Sequence, residues 1–423
     1  MKQARDRPYL YRTNADDYPW PQSARGEKDR TEVELLRLIR RHSPLSRADL
    51  VRLSGLTAPT VSAGVGKLQR KGLVIEIGPG NSSGGRPPGL IKFNARHGYV
   101  VGADLGGSFV RLVLADLNGT VVDSWQSALG ADRTPQRVTE LIGNAVWALI
   151  EKHKIPKKKV LELVAGAPGI TNVTAGQVLS APNLTDWRDV PFRDLLQSKT
   201  QIPVTIENDV NLGALGESWH GVARKTANFV FLAVGTGVGA GIVLNHVLHH
   251  GANWSAGEVG YLLIPGLSGE RLAADRVGAL ESAVGGEAIK RLWAELNGVP
   301  EGQKALRATE VFDLAVAGNE RASALLERVA DQLAMAVTNL SLILDLSLVV
   351  LSGGVGGHQA LLDAMWRRLE RNEFARPQLA MSSLGGEAQI HGAIWLGLQA
   401  AAAAGFRRRP IENSMGVAVN SGA

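Results

Sequence analysis

Three glycine-rich turns are the segments of this 423-residue sequence that are best suited to hold a phosphate group. They lie at Gly106–Gly107, at Gly235–Gly237 and at 353–357, and each follows an apolar run that is typical of a buried strand. Backbone without side chains can approach anionic oxygens closely, and successive N–H groups form an anion-binding concavity. Because the strand, turn, strand pattern occurs in both halves of the chain, the sequence predicts an internally duplicated fold that closes around a nucleotide.

The elements that would position these turns are indicated by the pattern from Tyr99 onward. Apolar strands, glycine turns and amphipathic helices alternate there, which is typical of an α/β region. Segment 99–125 is interpreted as an antiparallel meander whose first corner is Gly106–Gly107. Segment 229–246 is interpreted as a strand pair with its corner at Gly235–Gly237.

The composition is that of a globular protein. Hydrophobic residues make up 45% of the chain and charged residues 20%, which excludes disorder, collagen and coiled coil as the main architecture. There is no cysteine, so disulfides, thiol nucleophiles and thiolate zinc sites are excluded. The sequence shows no signal-peptide pattern and no apolar run of ~20 residues, so we expect a cytoplasmic protein without a membrane partner.

Three helices are predicted near the N-terminus. Residues 1–26 are polar and contain prolines, so we expect a flexible leader there. The first helix carries an apolar stripe over 33–39. The second begins at Ser46, where Asp49 gives the start a capping-box character, and the third begins at Thr57.

Two strands at 73–77 and 90–94 follow, joined by a loop that is too long for a tight hairpin turn. Three helices and a basic hairpin form a winged helix-turn-helix, which we place at 27–96. Small hydroxyl side chains let the start of the third helix enter a major groove, and the later Lys and Arg can contact phosphates. The predicted DNA-binding residues are Thr57, Thr60, Ser62, Lys67, Arg70, Lys71 and, at the wing tip, Arg86.

The charge distribution supports this interpretation. Residues 1–96 contain 18 Lys and Arg against 9 Asp and Glu, whereas the rest of the chain contains 28 against 31. Such asymmetry indicates a polyanion-binding segment attached to a neutral or acidic body. Charge, helix spacing and Arg86 together favour DNA binding over the alternative, a small helical domain with a solvated charged face.

Six segments carry a resemblance to a known family. In order along the chain they are DLGGSFVRLVLADLNG, PNLTDW, IENDVNLGALGE, GTGVGAGIV, GANWSAGEVG and VVLSGGVGG. With them, residues 97–405 resemble the ROK family of repressors, open reading frames and sugar kinases, and the winged helix in front is similar to its repressor branch. The resemblance implies an α+β multidomain protein, in which the winged helix-turn-helix precedes a two-lobed actin-like/hexokinase-like ATPase domain at 97–405. We expect residues 406–423 to form a disordered tail.

The resemblance also implies that the glycine turns bind the phosphates of a nucleotide. Asp104 ends the strand before the first turn, where a carboxylate is suited to hold Mg²⁺ through water. One glycine corner alone would be weak evidence, since such corners also serve ordinary hairpins. The implied nucleotide-phosphate residues are Asp104, Gly106, Gly107, Ser108, Gly235, Thr236, Gly237, Gly239, Gly353 and Gly354.

Sugar recognition requires carboxylate and amide groups that converge on neighbouring hydroxyls, and the resemblance implies such a set. Asp209 occupies the family's catalytic-base position, where a carboxylate would accept the proton of the attacking sugar hydroxyl. An alternative role for Asp209 is the N-cap of the following helix, and Glu281 could be an ordinary exposed helix residue. The implied sugar-binding residues are Asn183, Asn208, Asp209, Glu258, Tyr261 and Glu281.

The family's zinc site is not expected in this chain. The family motif ends in a zinc-ligating His and is followed by three cysteines, whereas this sequence has Tyr261 and no cysteine. His249 and His250, which precede the motif, are interpreted as strand-end residues rather than ligands. The Tyr261 hydroxyl could replace the lost sugar contact, or its ring could stack on a pyranose face.

Three functional hypotheses follow. The first is a repressor of carbohydrate-metabolism genes that binds a palindromic operator as a homodimer or higher oligomer and responds to a sugar, with no cofactor required for DNA binding. The second is an ATP-dependent sugar kinase with an accessory DNA-binding domain, since the resemblance allows Mg-ATP and residual kinase activity. The third is a sugar-binding module without DNA activity, which the basic N-terminal part disfavours. We favour the repressor because a metabolic enzyme does not need a winged helix.

Overall fold

The computed structural model describes residues 27–79, 89–266, 277–298 and 305–407. The predicted leader, the wing-tip residue Arg86 and the tail from residue 408 lie outside these ranges. Within the ranges, no helix combines the length and the apolar character needed to cross a membrane.

The N-terminal part is a winged helix-turn-helix, as predicted. Its elements are α1 (Glu27–His42), β1 (Leu45–Ser46), α2 (Arg47–Ser54), α3 (Ala58–Arg70), β2 (Val74–Pro79) and β3 (Gly89–Phe93). The first helix begins at Glu27, six residues before its apolar stripe, and β1 was not predicted. The short strand β1 pairs with β3, which gives the wing a three-stranded sheet of order β1, β3, β2.

The local signals at the helix starts are confirmed. Ser46 caps α2 and forms a capping box with Asp49, and the Thr57 side chain caps α3. Val61, Val65 and Leu68 form the buried face of α3. Gly64 is also buried: a Cβ there would lie 2.4 Å from Leu35 of α1, so the glycine permits close packing of the two helices.

Two five-stranded sheets form the body of the protein. The first lobe contains β4 (Tyr99–Leu105), β5 (Phe109–Asp116), β6 (Val121–Ala128), α4 (Pro135–Lys152), β7 (Val160–Ala167), β8 (Ile170–Asn172), β9 (Gln177–Ser180), β10 (Arg188–Val190), α5 (Phe192–Thr200), β11 (Val204–Asn208) and α6 (Asp209–His220). The second contains β12 (Phe229–Val234), β13 (Val238–Leu244), β14 (Val247–Leu248), α7 (Glu281–Val284), α8 (Gly286–Asn297), α9 (Ala308–Val316), α10 (Glu320–Leu344), β15 (Leu348–Ser352), α11 (Gly353–Gly356), α12 (Gln359–Leu369), β16 (Gln378–Met381) and α13 (Ala388–Ala403).

The two large sheets have the same construction. The first has strand order β11, β7, β4, β5, β6, and the second has β16, β15, β12, β13, β14. In each sheet three antiparallel strands form a meander. A fourth strand pairs in parallel with the first strand of the meander, and a fifth pairs in parallel with the fourth. Each meander has one of the predicted glycine turns at its first corner, and the third predicted turn follows β15. The predicted internal duplication is therefore confirmed.

Helices α6 and α13 lie between the sheets and contact each other closely. A Cβ at Gly392 of α13 would lie 1.9 Å from the Leu212 carbonyl oxygen of α6, and one at Gly216 would lie 2.1 Å from the Ala388 carbonyl oxygen. Helix α13 also packs against β4 and β7, while α6 packs against β12 and β13. The pair thereby fixes the N-terminus of α6, where Asp209 lies.

The winged helix packs directly on the first lobe. The Arg40 guanidinium of α1 donates a hydrogen bond of 2.6 Å to the carbonyl oxygen of Leu117, which follows β5. Arg40 also lies over the rings of Phe93 and Phe406, at 4.5 and 5.7 Å from their centroids. The tail prediction is wrong at Phe406, because this side chain is only 2% exposed and packs against the wing.

The glycine contact between α6 and α13 generates a stability prediction. Ala is the better helix former by ~1 kcal/mol, so helix propensity alone would make Gly392→Ala stabilising. We expect the opposite, a loss of about 1–3 kcal/mol, because the added methyl would force the two helices apart.

Urea unfolding would measure the change from the transition midpoint. Gly130→Ala is the matched control, since a Cβ at Gly130 would meet no atom within 4 Å. A Gly392→Ala midpoint equal to or above that of the parent would show that the close approach does not limit the packing.

Candidate functional site

A cavity of about 410 Å³ is lined by residues of both lobes. Its size is in the range of small-molecule sites, ~300–1,000 Å³. The β12–β13 turn, the turn after β15 and the N-terminus of α6 all border it. The predicted residues that line the cavity are Gly107, Ser108, Asn183, Asn208, Asp209, Gly235, Thr236, Gly237, Gly239, Glu258, Tyr261, Glu281 and Gly353. Three predicted phosphate residues, Asp104, Gly106 and Gly354, are not part of its lining.

The glycine turns have the shape that the phosphate prediction requires. Gly353 has a φ of +87°, and a Cβ there would lie 2.4 Å from the Val234 carbonyl oxygen, so only glycine fits at this contact between two turns. At Gly107 and Gly235 a Cβ would meet no atom within 4 Å. The backbone therefore borders open space on both sides of the cavity.

Asp104 is engaged by an arginine that the sequence analysis missed. The Asp104 carboxylate is 5% exposed and accepts two hydrogen bonds from Arg111, at 2.6 Å from Nη2 and 3.2 Å from Nε. Arg111 stands opposite Asp104 in the β4–β5 pair. The register of the predicted hairpin was the signal that could have found it, since opposite residues of antiparallel strands are neighbours. A Mg²⁺ ion at Asp104 would have to compete with this guanidinium, so the carboxylate as it stands does not fit the predicted magnesium role.

Asp209 is the first residue of α6, but it does not cap the helix. The cap is Asn208, whose side-chain oxygen accepts the Asn211 N–H at 2.9 Å, so the capping alternative for Asp209 is wrong. The Asn208 amide nitrogen also donates to the Gly169 carbonyl oxygen at 2.9 Å. The Asp209 carboxyl is thus left to face the cavity.

The cavity raises the pKa values of its carboxyl groups. Burial, followed by the nearby Asp104 charge, raises the pKa of Asp209 to about 8, against a weaker opposing hydrogen bond from the Val210 N–H. Burial and then the charge of Glu281 raise the pKa of Glu258 to about 6. Near pH 7 these groups can therefore exchange protons and offer both donors and acceptors to a hydroxylated ligand.

Glu281 joins the carboxyl cluster to a glycine turn. Its Oε2 accepts the Val238 N–H at 2.7 Å, immediately after Gly237. Burial raises the pKa of Glu281, and the hydrogen bond from Val238 opposes that shift. The alternative of an ordinary exposed helix residue is wrong, because Glu281 begins α7 at the edge of the cavity.

A buried carboxylate and a histidine support this wall of the cavity, and sequence reasoning did not connect them. Glu207 is fully buried and accepts hydrogen bonds from the Asn208 N–H at 2.8 Å and the Asn211 side chain at 3.0 Å. The His250 Nε2 lies 2.8 Å from its other oxygen. Across the described ranges, no group of three His, Asp or Glu side chains is arranged to hold a metal ion.

The predicted DNA-binding face lies on α3. Thr57, Thr60 and Ser62 are exposed at and near its start. At its other end Lys67 and Lys71 contact Glu32 of α1, at 3.1 and 2.5 Å. The sequence analysis missed this pairing because it joins residues of two helices, and it means that one carboxylate partly offsets the charge of two predicted phosphate contacts.

Comparison with known proteins identifies the family. Residues 100–400 match the ROK family, and residues 29–80 match the MarR family. The chain belongs to the ROK family. A glucokinase of Halalkalibacterium halodurans is 30% identical over 70% of this chain and 94% of its own length. The xylose repressor of Caldicellulosiruptor bescii is 35% identical over 56% of this chain.

The match to that xylose repressor spans 59% of the repressor's own length. Among solved structures, a ROK family transcriptional regulator described as a homologue of the E. coli MLC protein has a TM-score of 0.72. It is 19% identical and covers 89% of this chain and 98% of its own. At this identity the likeness shows the fold alone, and that fold includes both the winged helix and the ROK body.

Titration of Asp209 predicts a pH-dependent stability difference. Burial raises its pKa from the ordinary range of an aspartate to about 8 in the folded protein, so the folded state holds the proton more tightly. The stability due to that proton is complete below pH 4 and is lost as the pH rises through about 8. We expect Asp209→Asn to gain thermal stability over the parent as the pH rises from 5 to 8.5.

Thermal melts of the two proteins at several pH values measure this difference. The exposed residue Glu151 on α4 provides the control variant Glu151→Gln, for which we expect no such trend. An Asp209→Asn difference that is constant with pH would contradict the raised pKa.

The Glu32 ion pairs predict an unusual gain of DNA affinity. Glu32→Gln keeps the side-chain shape but removes the one negative charge that Lys67 and Lys71 share. We expect tighter binding to a non-specific duplex and a steeper salt dependence, whereas Arg70→Ala should reduce the slope by ~0.9.

Fluorescence anisotropy of a mixed-sequence duplex at several salt concentrations gives both quantities. Glu34→Gln on the same helix changes the net charge equally, but Glu34 contacts Arg37 rather than the lysines of α3. If both glutamine variants gained the same affinity, the effect would be one of net charge, and the proposed neutralisation would be wrong.

Proposed function

We propose that this protein is a sugar-responsive transcriptional repressor of carbohydrate-metabolism genes. The winged helix would bind a palindromic operator in a homodimer or higher oligomer, and a sugar in the cavity of the ROK body would change the affinity for DNA. The relatives support the coarser part of this proposal, since the family includes proteins named as xylose repressors as well as glucokinases.

The observation that carries the proposal is the contact between the winged helix and the first lobe. Arg40 of α1 donates to the backbone at Leu117, at one end of the β4–β5–β6 meander, and the glycine turn at Gly106–Gly107 lies at its other end. A DNA-binding unit attached by a half-buried guanidinium follows the movement of the lobe on which it packs. Ligand binding that brings the lobes together would therefore alter the separation of the two DNA-binding units in a dimer.

The cavity has the groups that a sugar requires. Asn183, Asn208, Asp209, Glu258 and Glu281 supply amide and carboxyl groups along its lining. Two of the carboxyl groups have pKa values near or above 6, so each can act as donor or acceptor toward a hydroxyl. Among sugar classes, the relatives named as xylose repressors favour an aldopentose.

A sugar kinase is the second candidate, and Asp209 favours it. A pKa of about 8 is suitable for a general base near neutral pH, and the residue faces the cavity. Arg111 argues against it, because it already forms an ion pair with the carboxylate that a kinase of this fold would use near the metal. We therefore place ligand binding without phosphoryl transfer first.

The test combines operator binding with one cavity variant. An operator is first selected from randomised duplexes with the parent protein, and its anisotropy is then measured with D-xylose, D-glucose and N-acetylglucosamine. We expect one of these sugars to change operator affinity. Glu258→Ala should leave sugar-free affinity unchanged and abolish the response, because a ligand acts only through differential binding to two conformations.

Glu287→Ala on the exposed side of α8 is the matched control and should respond as the parent does. A Glu258→Ala response at parent sugar concentrations would place the effector site elsewhere. Sugar-dependent ADP release from Mg-ATP that Asp209→Asn abolishes, without any sugar effect on the operator, would favour the kinase over the repressor.

A further inference from the structure

Trp254 has a backbone conformation that is unusual for its residue type. Its φ is +66°, in the left-handed region that favours glycine, although a large aromatic side chain occupies the position. The residue lies in the loop between β14 and Glu258 and lines the cavity. Strained residues of this kind persist where the surrounding structure holds them, and they concentrate at ligand sites.

The surrounding loop is closed by its own backbone. The Ala256 N–H donates to the His250 carbonyl oxygen at 3.4 Å, and the Glu258 N–H donates to the Ser255 carbonyl oxygen at 3.3 Å. The first bond spans Trp254, and the second follows it and leads directly into the carboxyl cluster at Glu258. The loop therefore holds the indole at the cavity rather than leaving it in solvent.

A chain of contacts also fixes the ring itself. The His250 ring meets the indole edge-on, with centroids 5.5 Å apart and planes at 64°. His250 is in turn held at 2.8 Å by Glu207, which is fully buried next to Asn208. The position of the indole is thus set by the same wall that presents Asn208 and Asp209 to the cavity.

We propose that Trp254 is the specificity-determining platform of this site, on which the C–H face of a pyranose ring stacks. The proposal rests on the sugar-binding function proposed above. An aromatic face in a cavity that also carries amide and carboxyl groups suits a ligand that is apolar on its face and polar around its edge.

An aldopyranose whose hydroxyls are all equatorial has that form, because only C–H groups point away from the ring plane. An axial hydroxyl on the stacked face would lose its hydrogen bonds to water and would contact the carbon atoms of the indole ring instead of a hydrogen-bond partner. Trp254 therefore selects D-xylose and D-glucose against L-arabinose and D-galactose, their epimers with an axial hydroxyl at C4.

The central experiment is calorimetric titration of these four sugars into the full-length parent, Trp254→Phe and Trp254→Gly. We expect the parent to bind the equatorial sugars about tenfold more tightly than their epimers. Trp254→Gly should lose about tenfold in affinity for the equatorial sugars and nearly all of the discrimination. Trp254→Phe keeps an aromatic face and should retain most of both.

A thermal melt without sugar separates binding from folding. Glycine adopts a positive φ without strain, so Trp254→Gly should melt within ~3 °C of the parent or above it. Intrinsic fluorescence gives a second readout: the sugar-induced change should vanish in Trp254→Phe and persist in Trp366→Phe, whose indole lies on α12 away from the cavity.

The outcomes separate this proposal from the one on which it rests. If the parent binds no sugar of the panel, both the sugar-binding function and the platform are overturned. If the parent binds and Trp254→Gly has the same affinities and discrimination, only the platform is wrong. If Trp254→Gly melts far below the parent and Trp254→Phe keeps the full fluorescence change, the indole has a structural role and does not contact the ligand.

Discussion

The close approach of α6 and α13 is the constraint on which the rest of the body depends. Both helices lie between the two five-stranded sheets, and glycines at their contact let one backbone reach the other. A side chain at Gly216 or Gly392 would separate the helices and with them the sheets. Because α6 begins at Asp209, the same contact determines where that carboxyl lies relative to the glycine turns of the second lobe. Packing in the interior thereby positions the chemistry of the cavity.

The electrostatics of the cavity are consistent with a ligand that carries many hydroxyls and no charge. Several carboxyl groups lie close enough to raise one another's pKa values, and one of them, Asp104, forms an ion pair with Arg111. A neutral polyol can bridge such groups because each hydroxyl both donates and accepts. The Asp104–Arg111 pair has the opposite effect, since it removes a negative charge from the place where a metal ion would need one. The site thus combines a wall that suits a sugar with a carboxylate that is less able to hold a metal ion.

Sequence reasoning predicted the features that are local in the chain. The capping box at Ser46, the glycine corners and the duplicated meander all depend on residues within a few positions of one another, and periodicity or turn chemistry reveals them. The missed features join distant residues. Glu32 contacts α3 across a helix interface, and Phe406 reaches back to the wing. The contact between Arg111 and Asp104 could have been predicted, because the register of one hairpin places the two residues opposite each other.

The pairing of Glu32 with two lysines of α3 affects the affinity for DNA of any sequence rather than the discrimination between sequences. A regulator must find its operator among ~10⁶–10⁹ competing stretches of genomic DNA, so the useful quantity is the ratio of specific to non-specific binding. Phosphate contacts strengthen both kinds of binding alike, whereas contacts to base edges strengthen only the first. A carboxylate that occupies Lys67 and Lys71 lowers the general attraction to the DNA backbone and leaves the hydroxyl side chains at the start of α3 untouched. In a chain with a formal charge of +6, such an internal counter-charge shortens the time that the protein would spend on irrelevant DNA.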